Sequence, residues 1–239
     1  MLLKSTIADA LLEQKKWLSK KNAGLDRDIL TSIALNPEMV LVITGIRRCG
    51  KSTLMQQLTS QIDKNFNFFN FEDPRIFGFE AEDFNRLNQV FDQNLSYYFF
   101  DEIQNVPQWE VFIRNLHDQE KIICITGSNA ALLSKELGTR LTGRNLQIEL
   151  YPFSYSEYIR FQKYQPEKKS LISYLQQGGF PDYLKLKNKE VLQQLLKDVI
   201  YRDIVVRHGI RNDHALMEIA LFLISNVGKM YSHNSLKKS

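Results

Sequence analysis

One eight-residue stretch has the residue types and the spacing of a phosphate-binding loop. Residues 45–52 read Gly-Ile-Arg-Arg-Cys-Gly-Lys-Ser and match the pattern G-x-x-x-x-G-K-[ST] at every fixed position. Gly45 and Gly50 let the backbone turn through angles that a side chain forbids, so successive amide N–H groups can converge on a phosphate. Lys51 supplies a positive charge for the terminal phosphates, and the Ser52 hydroxyl is placed to bind Mg²⁺. The stretch predicts a site for ATP with Mg²⁺.

The sequence on either side of this loop favours the same interpretation. Residues 39–44 (MVLVIT) form an apolar run typical of a buried strand, and residues 52–62 have the apolar spacing of a helix. That helix would point its positive end at the bound anion. The alternative, a glycine turn that matches by chance, does not require this context of strand, loop and helix. The residues expected to contact the nucleotide are Gly45, Ile46, Arg47, Arg48, Cys49, Gly50, Lys51, Ser52 and Thr53.

A second group of chemically active residues is the acidic pair Asp101 and Glu102. The pair directly follows four bulky apolar residues, 97–100 (YYFF). A strand buried on both faces is typical of the centre of a parallel sheet, and such sheets bind ligands at the carboxyl ends of their strands. We expect Asp101 to orient Mg²⁺, mainly through bound water, and Glu102 to polarise a water for attack on the γ-phosphate. The alternative is a strand that ends in two solvated acids.

A third set of candidates follows the next apolar strand, residues 121–126 (KIICIT). Ser128 and Asn129 stand at its tip, where a polar group can touch both the γ-phosphate and the attacking water. Either residue could instead cap a helix that starts near residue 130. Arg140 and Arg144 come later, just before the strand predicted over residues 146–150. These four residues complete the predicted catalytic set with Lys51 and Glu102.

The elements that must position these residues follow from the apolar periodicity. Five strands alternate with helices, which predicts an α/β P-loop fold: a three-layer sandwich around a parallel sheet of strand order 5-1-4-3-2, with a C-terminal helical subdomain. We divide the chain into a helical lead-in (1–38), a P-loop core (39–165) and a helical remainder (166–239). The remaining predicted elements are helices over 5–20, 26–35, 80–95, 109–116, 190–207 and 213–226 and a strand over 66–71.

Composition narrows the class of protein further. The 239 residues are 44% hydrophobic and 24% charged, which is ordinary for a soluble globular protein. The longest apolar runs, such as residues 220–224, fall far short of the roughly 18 residues that a membrane span needs. Asp9 interrupts the N-terminal apolar segment too early for a signal peptide. We therefore expect a cytoplasmic protein that does not contact a membrane.

The two cysteines, Cys49 and Cys124, are far apart and form no metal-binding or redox pair, which fits a reducing compartment. Cys124 lies in a predicted strand and reads as a small buried apolar residue. Cys49 lies inside the phosphate loop, where amide dipoles would favour a thiolate. The alternative is an inert loop residue.

The net charge of +4 is unevenly distributed. Residues 185–239 carry ten Lys/Arg and five Asp/Glu, whereas the first 184 residues are close to neutral. Such a basic tail could make weak contacts with nucleic acid. A helical surface of mixed sign explains the same composition.

The stretches GIRRCGKST, YYFFDEIQ, ITGSNA and LTGRNLQIELYPFS, in this order, resemble the AAA-like ATPases of bacteria and archaea. The C-terminal half of those proteins is a domain of unknown function related to restriction-type nucleases. The resemblance covers most of the chain and places Ser128 at the sensor position of the strand tip. It also places Arg140 and Arg144 where AAA proteins carry an arginine finger for a neighbour's nucleotide, which would require a homo-oligomer. Pairing of either arginine with Glu149 or another acid of the same chain is the alternative.

The same resemblance extends to Gly178-Gly179-Phe180-Pro181, where Gly179 and Pro181 match an element near the nucleotide base. A turn before a helix explains this tetrapeptide equally well. Residues 226–232 are similar to the entrance of a winged helix-turn-helix, and members of the family continue well beyond this point. We therefore expect a truncated chain whose last helices expose Ile219, Leu223 or Leu236, with an ordinary helical cap as the alternative.

Together these features predict an ATP-binding and ATP-hydrolysing AAA-type ATPase that acts as a nucleotide-driven switch on a partner, with ATP and ADP as its ligands. A regulatory or DNA-binding protein that holds ATP without significant turnover is the alternative from a different class. A small-molecule kinase is a third possibility, weakened because the sequence shows no acceptor-binding motif. Glu102 favours the enzyme.

Overall fold

The fold is built on a five-stranded parallel sheet whose order is β2-β3-β4-β1-β5. A computed structural model describes residues 1–20, 23–62, 65–128, 141, 143–206 and 209–230. The predicted order 5-1-4-3-2 is this same order counted from the other edge, so the prediction of the fold is confirmed. The strands are β1 (Val40–Thr44), β2 (Asn67–Asn70), β3 (Tyr97–Asp101), β4 (Ile122–Gly127) and β5 (Asn145–Glu149).

Helices cover the sheet and continue beyond it. Those of the first part of the chain are α1 (Lys4–Lys20), α2 (Lys51–Ser60), α3 (Asp83–Val90) and α4 (Trp109–Asp118), with short 3-10 helices at Asp28–Ser32, Pro74–Ile76 and Ile103–Asn105. After β5 come α5 (Tyr155–Gln162), α6 (Lys168–Gln177), α7 (Pro181–Leu186), α8 (Glu190–Asp198), a π-helix (Val199–Val206) and α9 (Asp213–Ser225). The labels count described elements only. The chain forms two compact units, Met1–Lys185 and Leu186–Ser239.

Alternation along the strands explains the three layers. In β1, Val40 and Val42 pack into a core cluster with α1, α3 and α4. Leu41 and Ile43 pack into a second cluster on the opposite face, with α2. Because successive side chains of a strand point to opposite faces, an entirely apolar strand must be covered on both sides. β1 therefore lies inside the sheet and carries the phosphate loop out of its carboxyl end.

The edge strand β2 is covered by a side chain of α1. Gln14 Oε1 accepts a hydrogen bond from Asn70 N at 2.8 Å, and Gln14 Nε2 donates to Asn70 O at 3.1 Å. The same amide nitrogen donates to Asp73 Oδ2 at 2.9 Å. Gln14 thus takes the two backbone bonds that a neighbouring strand would form with Asn70.

Several predicted helices are shorter in the structure than in the sequence pattern. The helix predicted over 80–95 spans only Asp83–Val90, because Phe91 takes an extended conformation and is buried in the core. The helix predicted over 26–35 is a 3-10 helix, Asp28–Ser32, since Arg27 before it is extended. The helix predicted over 190–207 changes to a π-helix at Val199.

The last described helix, α9, contains no buried residue. Ile219 and Leu223 expose 37% and 38% of their surface. Leu236 lies outside the described residues, as does the start of the helix considered near residue 130.

Candidate functional site

The backbone of residues 45–50 has a positive φ at both of its glycines, a conformation that side chains disfavour. Gly45 has φ +144° and Gly50 has φ +106°. A Cβ built on Gly45 would lie 2.2 Å from Leu150 O, so the loop cannot accept a side chain there without moving β5's end. Gly50 precedes α2 and offers no side-chain cap. The amides of the first helical turn are therefore left for an external anion such as a phosphate.

The ammonium of Lys51 is held inside the loop that precedes it. Lys51 is only 4% exposed. Its Nζ donates to Gly45 O at 3.1 Å and to Ile46 O at 3.4 Å, and it lies 3.4 Å from Glu102 Oε1. A buried ammonium needs such partners because its desolvation is costly. The lysine thus joins the phosphate loop to the acidic end of β3.

Asp101 is at the centre of a hydroxyl–carboxylate cluster that links α2, β3 and β4. Ser52 Oγ donates to Asp101 Oδ1 at 3.0 Å, and Thr126 Oγ1 donates to the same oxygen at 2.5 Å. Burial and the neighbouring Glu102 charge raise the pKa of Asp101 to about 6, although the two hydroxyls and Lys51 act in the opposite direction. A nearby cation would favour the ionised carboxylate.

These groups fit a magnesium ion. Mg²⁺ prefers hard oxygen donors and is usually held by one or two protein oxygens together with water and substrate phosphates. Ser52 Oγ and Asp101 Oδ1 are adjacent oxygens of this kind beside the phosphate loop. They are the residues that would hold the ion, and the ion would supply charge neutralisation between the β- and γ-phosphates.

Glu102 is set apart from Asp101 by its backbone. It has φ +53°, a left-handed conformation that is uncommon for a non-glycine residue and often found at functional sites. Its amide donates to Thr126 Oγ1 at 3.0 Å, which fixes the turn. Burial raises the pKa of Glu102, but Lys51, the Gln104 amide and Arg47 together hold it below the usual value. The carboxylate is therefore ionised, as a proton acceptor must be.

The strand-tip residues are only partly described. Ser128 Oγ accepts a hydrogen bond from Gln104 Nε2 at 3.3 Å, and the same nitrogen donates to Glu102 Oε2 at 2.6 Å. Ser128 is thus connected to Glu102 through Gln104, and its predicted contact with the γ-phosphate and the attacking water stays a prediction. Asn129 lies outside the described residues. Gln104 was not among the predicted site residues, although its place two residues after Glu102 was visible in the sequence.

The two loop arginines form ion pairs with different elements. Arg47 forms an ion pair with Glu72 at 2.7 Å, just after β2. Arg48, with φ +64°, forms an ion pair with Asp182 of α7 at 3.4 Å. The predicted nucleotide-contacting residues of the loop therefore also link it to β2 and α7.

The other loop residues differ in exposure. Ile46 is partly exposed, and Thr53 follows Ser52 in the first turn of α2. Cys49 is fully buried and packs in the α2-side core. Burial raises the pKa of its thiol despite Lys51 and Arg27. The expectation of a stabilised thiolate is thus wrong, and the alternative of an inert loop residue fits.

Arg27 binds the backbone of the phosphate loop, and no local motif in the sequence marks it as a site residue. Its guanidinium is buried and forms a two-pronged contact with Glu157: Nε to Oε1 at 2.8 Å and Nη2 to Oε2 at 3.2 Å. Nη1 donates to Cys49 O at 2.9 Å, and Nη2 also donates to Tyr151 O at 2.7 Å. One side chain therefore connects the N-terminal segment, the phosphate loop and the start of α5.

Glu157 is equally well satisfied. It also accepts from the amides of Asp28 at 2.9 Å and Ser154 at 2.8 Å, and Ser154 caps α5 in return. Burial raises the pKa of Glu157, but the bonds from Arg27 and these two amides hold it below the usual value. The pair thus remains ionised inside the protein.

Gly179 and Pro181 lie beside this junction. Phe153 N donates to Gly179 O at 2.8 Å. A Cβ on Gly179 would lie 2.1 Å from Phe153 O, so only glycine fits this close approach. Pro181 begins α7, the helix that carries Asp182. Their contact with a nucleotide base stays a prediction.

Of the two candidate arginine fingers, the structure describes only Arg144, whose carbonyl accepts from Val40 N at the start of β1, the end away from the phosphate loop. Arg144 donates to Asp118 Oδ1 at 3.1 Å, which is the intramolecular pairing considered as the alternative. Arg140 lies outside the described residues. A role for either in trans stays a prediction.

The parallel sheet carries a glycine-bounded lysine–serine loop after one central strand and an acidic pair at the end of another. These features together define a P-loop nucleotide-binding protein. The chain belongs to the AAA domain family, which matches residues 37–159. The match covers the loop, the acidic pair and all five strands.

Similar proteins are known in archaea and bacteria. The uncharacterized protein MJ1544 of Methanocaldococcus jannaschii is 35% identical, over 94% of this chain and 55% of that protein. An uncharacterized protein of Haemophilus influenzae is 31% identical, over 84% of this chain and 55% of that protein. The chain thus spans about half the length of these curated relatives. The structure of AMPPCP-bound DnaA from Aquifex aeolicus aligns with a TM-score of 0.41 and 12% identity, over 96% of this chain and 86% of that chain.

Within the described ranges, no helix is both long enough and apolar enough to cross a membrane.

Proposed function

We propose that the protein binds ATP with Mg²⁺ and hydrolyses the β–γ phosphoanhydride, as a nucleotide-driven switch of AAA type. The observation that carries this proposal is the 3.4 Å approach of Lys51 Nζ to Glu102 Oε1 in a buried site. It places an ionised carboxylate next to the cation that attracts the terminal phosphates. A general base must be within reach of the water that attacks the γ-phosphate, and this arrangement supplies one.

The chemistry then divides among a few residues. Lys51 and the loop amides bind and stabilise the phosphate charge, and Glu102 accepts a proton from the attacking water. Ser52 and Asp101 would hold the magnesium ion. Ser128, linked to Glu102 through Gln104, is placed to respond to the γ-phosphate.

The alternative, ATP binding without significant turnover, also has a supporting observation. Both carboxylate oxygens of Glu102 are engaged, Oε1 by Lys51 and Oε2 by Gln104. If ATP did not draw Lys51 away, no oxygen of Glu102 would be available as a base. The protein would then hold ATP as a regulatory ligand.

Two variants separate these functions. Lys51→Ala removes the charge that holds the phosphates, so ATP affinity should fall by about 2 kcal/mol, the scale of a hydrogen bond to a charged group. Glu102→Gln keeps the shape of the side chain but cannot take a proton. It should bind ATP and hydrolyse it about 10² to 10⁴ times more slowly. The matched control is Glu120→Gln, an exposed carboxylate.

The measurements are equilibrium ATP binding and phosphate release under single turnover. Hydrolysis by Glu102→Gln within threefold of the parent would refute the catalytic role of Glu102. Unchanged ATP binding by Lys51→Ala would refute the nucleotide site itself. Binding with no turnover in the parent would favour the regulatory alternative.

The switch itself requires a route from the loop to another element, and Arg48 provides one. Phosphates bound at the loop compete with Asp182 for the Arg48 guanidinium, so α7 would be released from the loop when ATP binds. Hydrogen exchange over residues 181–186 should then change on ATP addition in the parent and not in Lys51→Ala. Identical exchange with and without ATP in the parent would contradict this route.

The partner of the switch is proposed from charge and family alone. A basic segment over residues 185–239 would bind nucleic acid weakly and without sequence preference, and salt would weaken that binding. The family that the sequence resembles has a nuclease-related C-terminal domain. Such a domain would act on the nucleic acid that the basic segment binds. A gel-shift titration at two salt concentrations tests the binding, and tight, sequence-selective binding that survives salt would contradict it.

A further inference from the structure

Gln104 connects the two residues at the centre of the proposed chemistry. It lies in the short 3-10 helix that directly follows Glu102. Its Nε2 donates to Glu102 Oε2 at 2.6 Å and to Ser128 Oγ at 3.3 Å. Its own carboxamide oxygen, Oε1, is buried and has no hydrogen-bond partner among the described residues. A buried acceptor without a partner is rare and calls for an explanation.

The two oxygens of Glu102 are held in different ways. Oε1 faces Lys51 Nζ at 3.4 Å, whereas Oε2 accepts the shorter bond from Gln104. The terminal phosphates of ATP compete for the Lys51 ammonium, because they carry more negative charge than a single carboxylate. Oε1 then loses its partner while Oε2 keeps its own. The carboxylate is left with one free oxygen and a fixed orientation.

We propose that Gln104 is a positioning residue for ATP hydrolysis, which fixes Glu102 so that Oε1 is the oxygen that takes the proton. In this step a water oxygen bonds to the γ-phosphorus, one water proton passes to Oε1, and the bond from the γ-phosphorus to the bridging oxygen breaks. ADP leaves with that electron pair, and phosphate is the other product. The unpartnered Oε1 of Gln104 is an acceptor to which a water beside Glu102 can donate. The inference rests on the proposed function.

The test variant is Gln104→Met, which keeps the length of the side chain and removes its amide. The expected result is a kcat about 10 to 100 times lower, because part of the general-base contribution is lost. ATP affinity and KM should remain within about twofold of the parent, since the hydrogen bonds of Gln104 to described residues go to Glu102 and Ser128 and not to the phosphate loop. The control is Asn105→Ala, which removes the neighbouring amide on the exposed side of the same 3-10 helix.

A double variant separates positioning from folding. If Gln104 acts through Glu102, adding Gln104→Met to Glu102→Gln should lower kcat no further, since two residues that act as a unit are not additive. A full additional loss in the double variant would overturn the inference. So would a Gln104→Met protein whose ATP affinity and thermal midpoint fall together with kcat, because that pattern indicates a structural role.

The same experiment distinguishes the two levels of the proposal. If the parent hydrolyses no ATP, the proposed function fails. If Glu102→Gln hydrolyses ATP as the parent does, the catalytic role of Glu102 fails, and the positioning role of Gln104 fails with it. If Glu102→Gln is slow and Gln104→Met keeps the parent kcat, only the positioning role of Gln104 fails.

Discussion

The buried pair of Arg27 and Glu157 should make a large contribution to stability, and Glu157→Gln tests this. Glu157 Oε1 accepts from Arg27 Nε and Asp28 N, and Oε2 accepts from Arg27 Nη2 and Ser154 N. Glutamine replaces one of these oxygens with an NH₂ group, which cannot accept. Whichever oxygen is replaced, two of the four bonds are lost and the Arg27 charge has no counter-ion in a buried site.

The expected loss of unfolding free energy follows from the two lost hydrogen bonds and the unpaired Arg27 charge. Breaking a buried ion pair by neutralising one partner costs about 3 to 5 kcal/mol, because the remaining charge is left uncompensated. A domain of ordinary stability has only about 5 to 15 kcal/mol in total. We therefore expect Glu157→Gln to lower the urea midpoint markedly. ATP affinity should fall as well, since Arg27 also holds the Cys49 carbonyl of the phosphate loop.

The pH dependence has a definite sign. The pKa of Glu157 is lowered in the folded protein, so the pair stabilises the fold above the unfolded glutamate pKa of about 4.3. This stability is lost as the pH falls through the lower folded value. The gap between parent and Glu157→Gln should be widest near neutral pH and should narrow below about pH 4.

The assay is urea unfolding followed by tryptophan fluorescence, because Trp109 is fully buried in the same compact unit. Glu38→Gln, an exposed carboxylate, is the matched control. A Glu157→Gln free energy of unfolding within about 0.5 kcal/mol of the parent, the range of an ordinary surface substitution, would refute the reasoning. A gap that stays constant from pH 7 to pH 3 would refute the assignment of the charge.

Two further predictions concern the same region. Gly179→Ala should lower the free energy of unfolding by about 1 to 3 kcal/mol, because its Cβ would lie 2.1 Å from Phe153 O. A loss within about 0.5 kcal/mol of the parent, the range of an ordinary surface substitution, would contradict the clash in thermal unfolding. Cys49 should not react with Ellman's reagent in the folded protein at pH 8, because it is buried and its thiol pKa is raised. In urea, Cys49 and Cys124 should both react. Rapid labelling of Cys49 under native conditions, located by peptide mapping, would show that the loop opens.

Features encoded locally could be predicted from the sequence. The loop conformation depends on Gly45, Gly50 and Lys51, which are neighbours in the chain, and the central strands are continuous apolar runs. Asp101 and Glu102 could be placed because a strand end determines where its next residues emerge. The strand order followed from these features together with the resemblance to a known family.

Contacts between distant parts of the chain could not be predicted in this way. Arg27 and Glu157 are 130 residues apart, and neither lies in a motif. The extended conformation of Arg27, tied to Glu157 and Cys49, also prevents the helix expected over 26–35. The end of α3 differs from the prediction for a related reason. Phe91 packs in the core instead of continuing the helix, and Asn67 Nδ2 donates to Asp92 O at 2.9 Å. Tertiary burial overrides the local pattern there.

The hydrogen bonds between Gln14 and Asn70 have a consequence for self-association. An uncovered edge strand offers its backbone to the strands of other molecules, which is a route to aggregation and to unintended pairing. At Asn70 both backbone groups are already occupied by a side chain of α1. An extended peptide could not add to the sheet across this residue unless α1 first moved away. Any partner that recognises this protein by adding a strand at β2 would therefore have to displace Gln14.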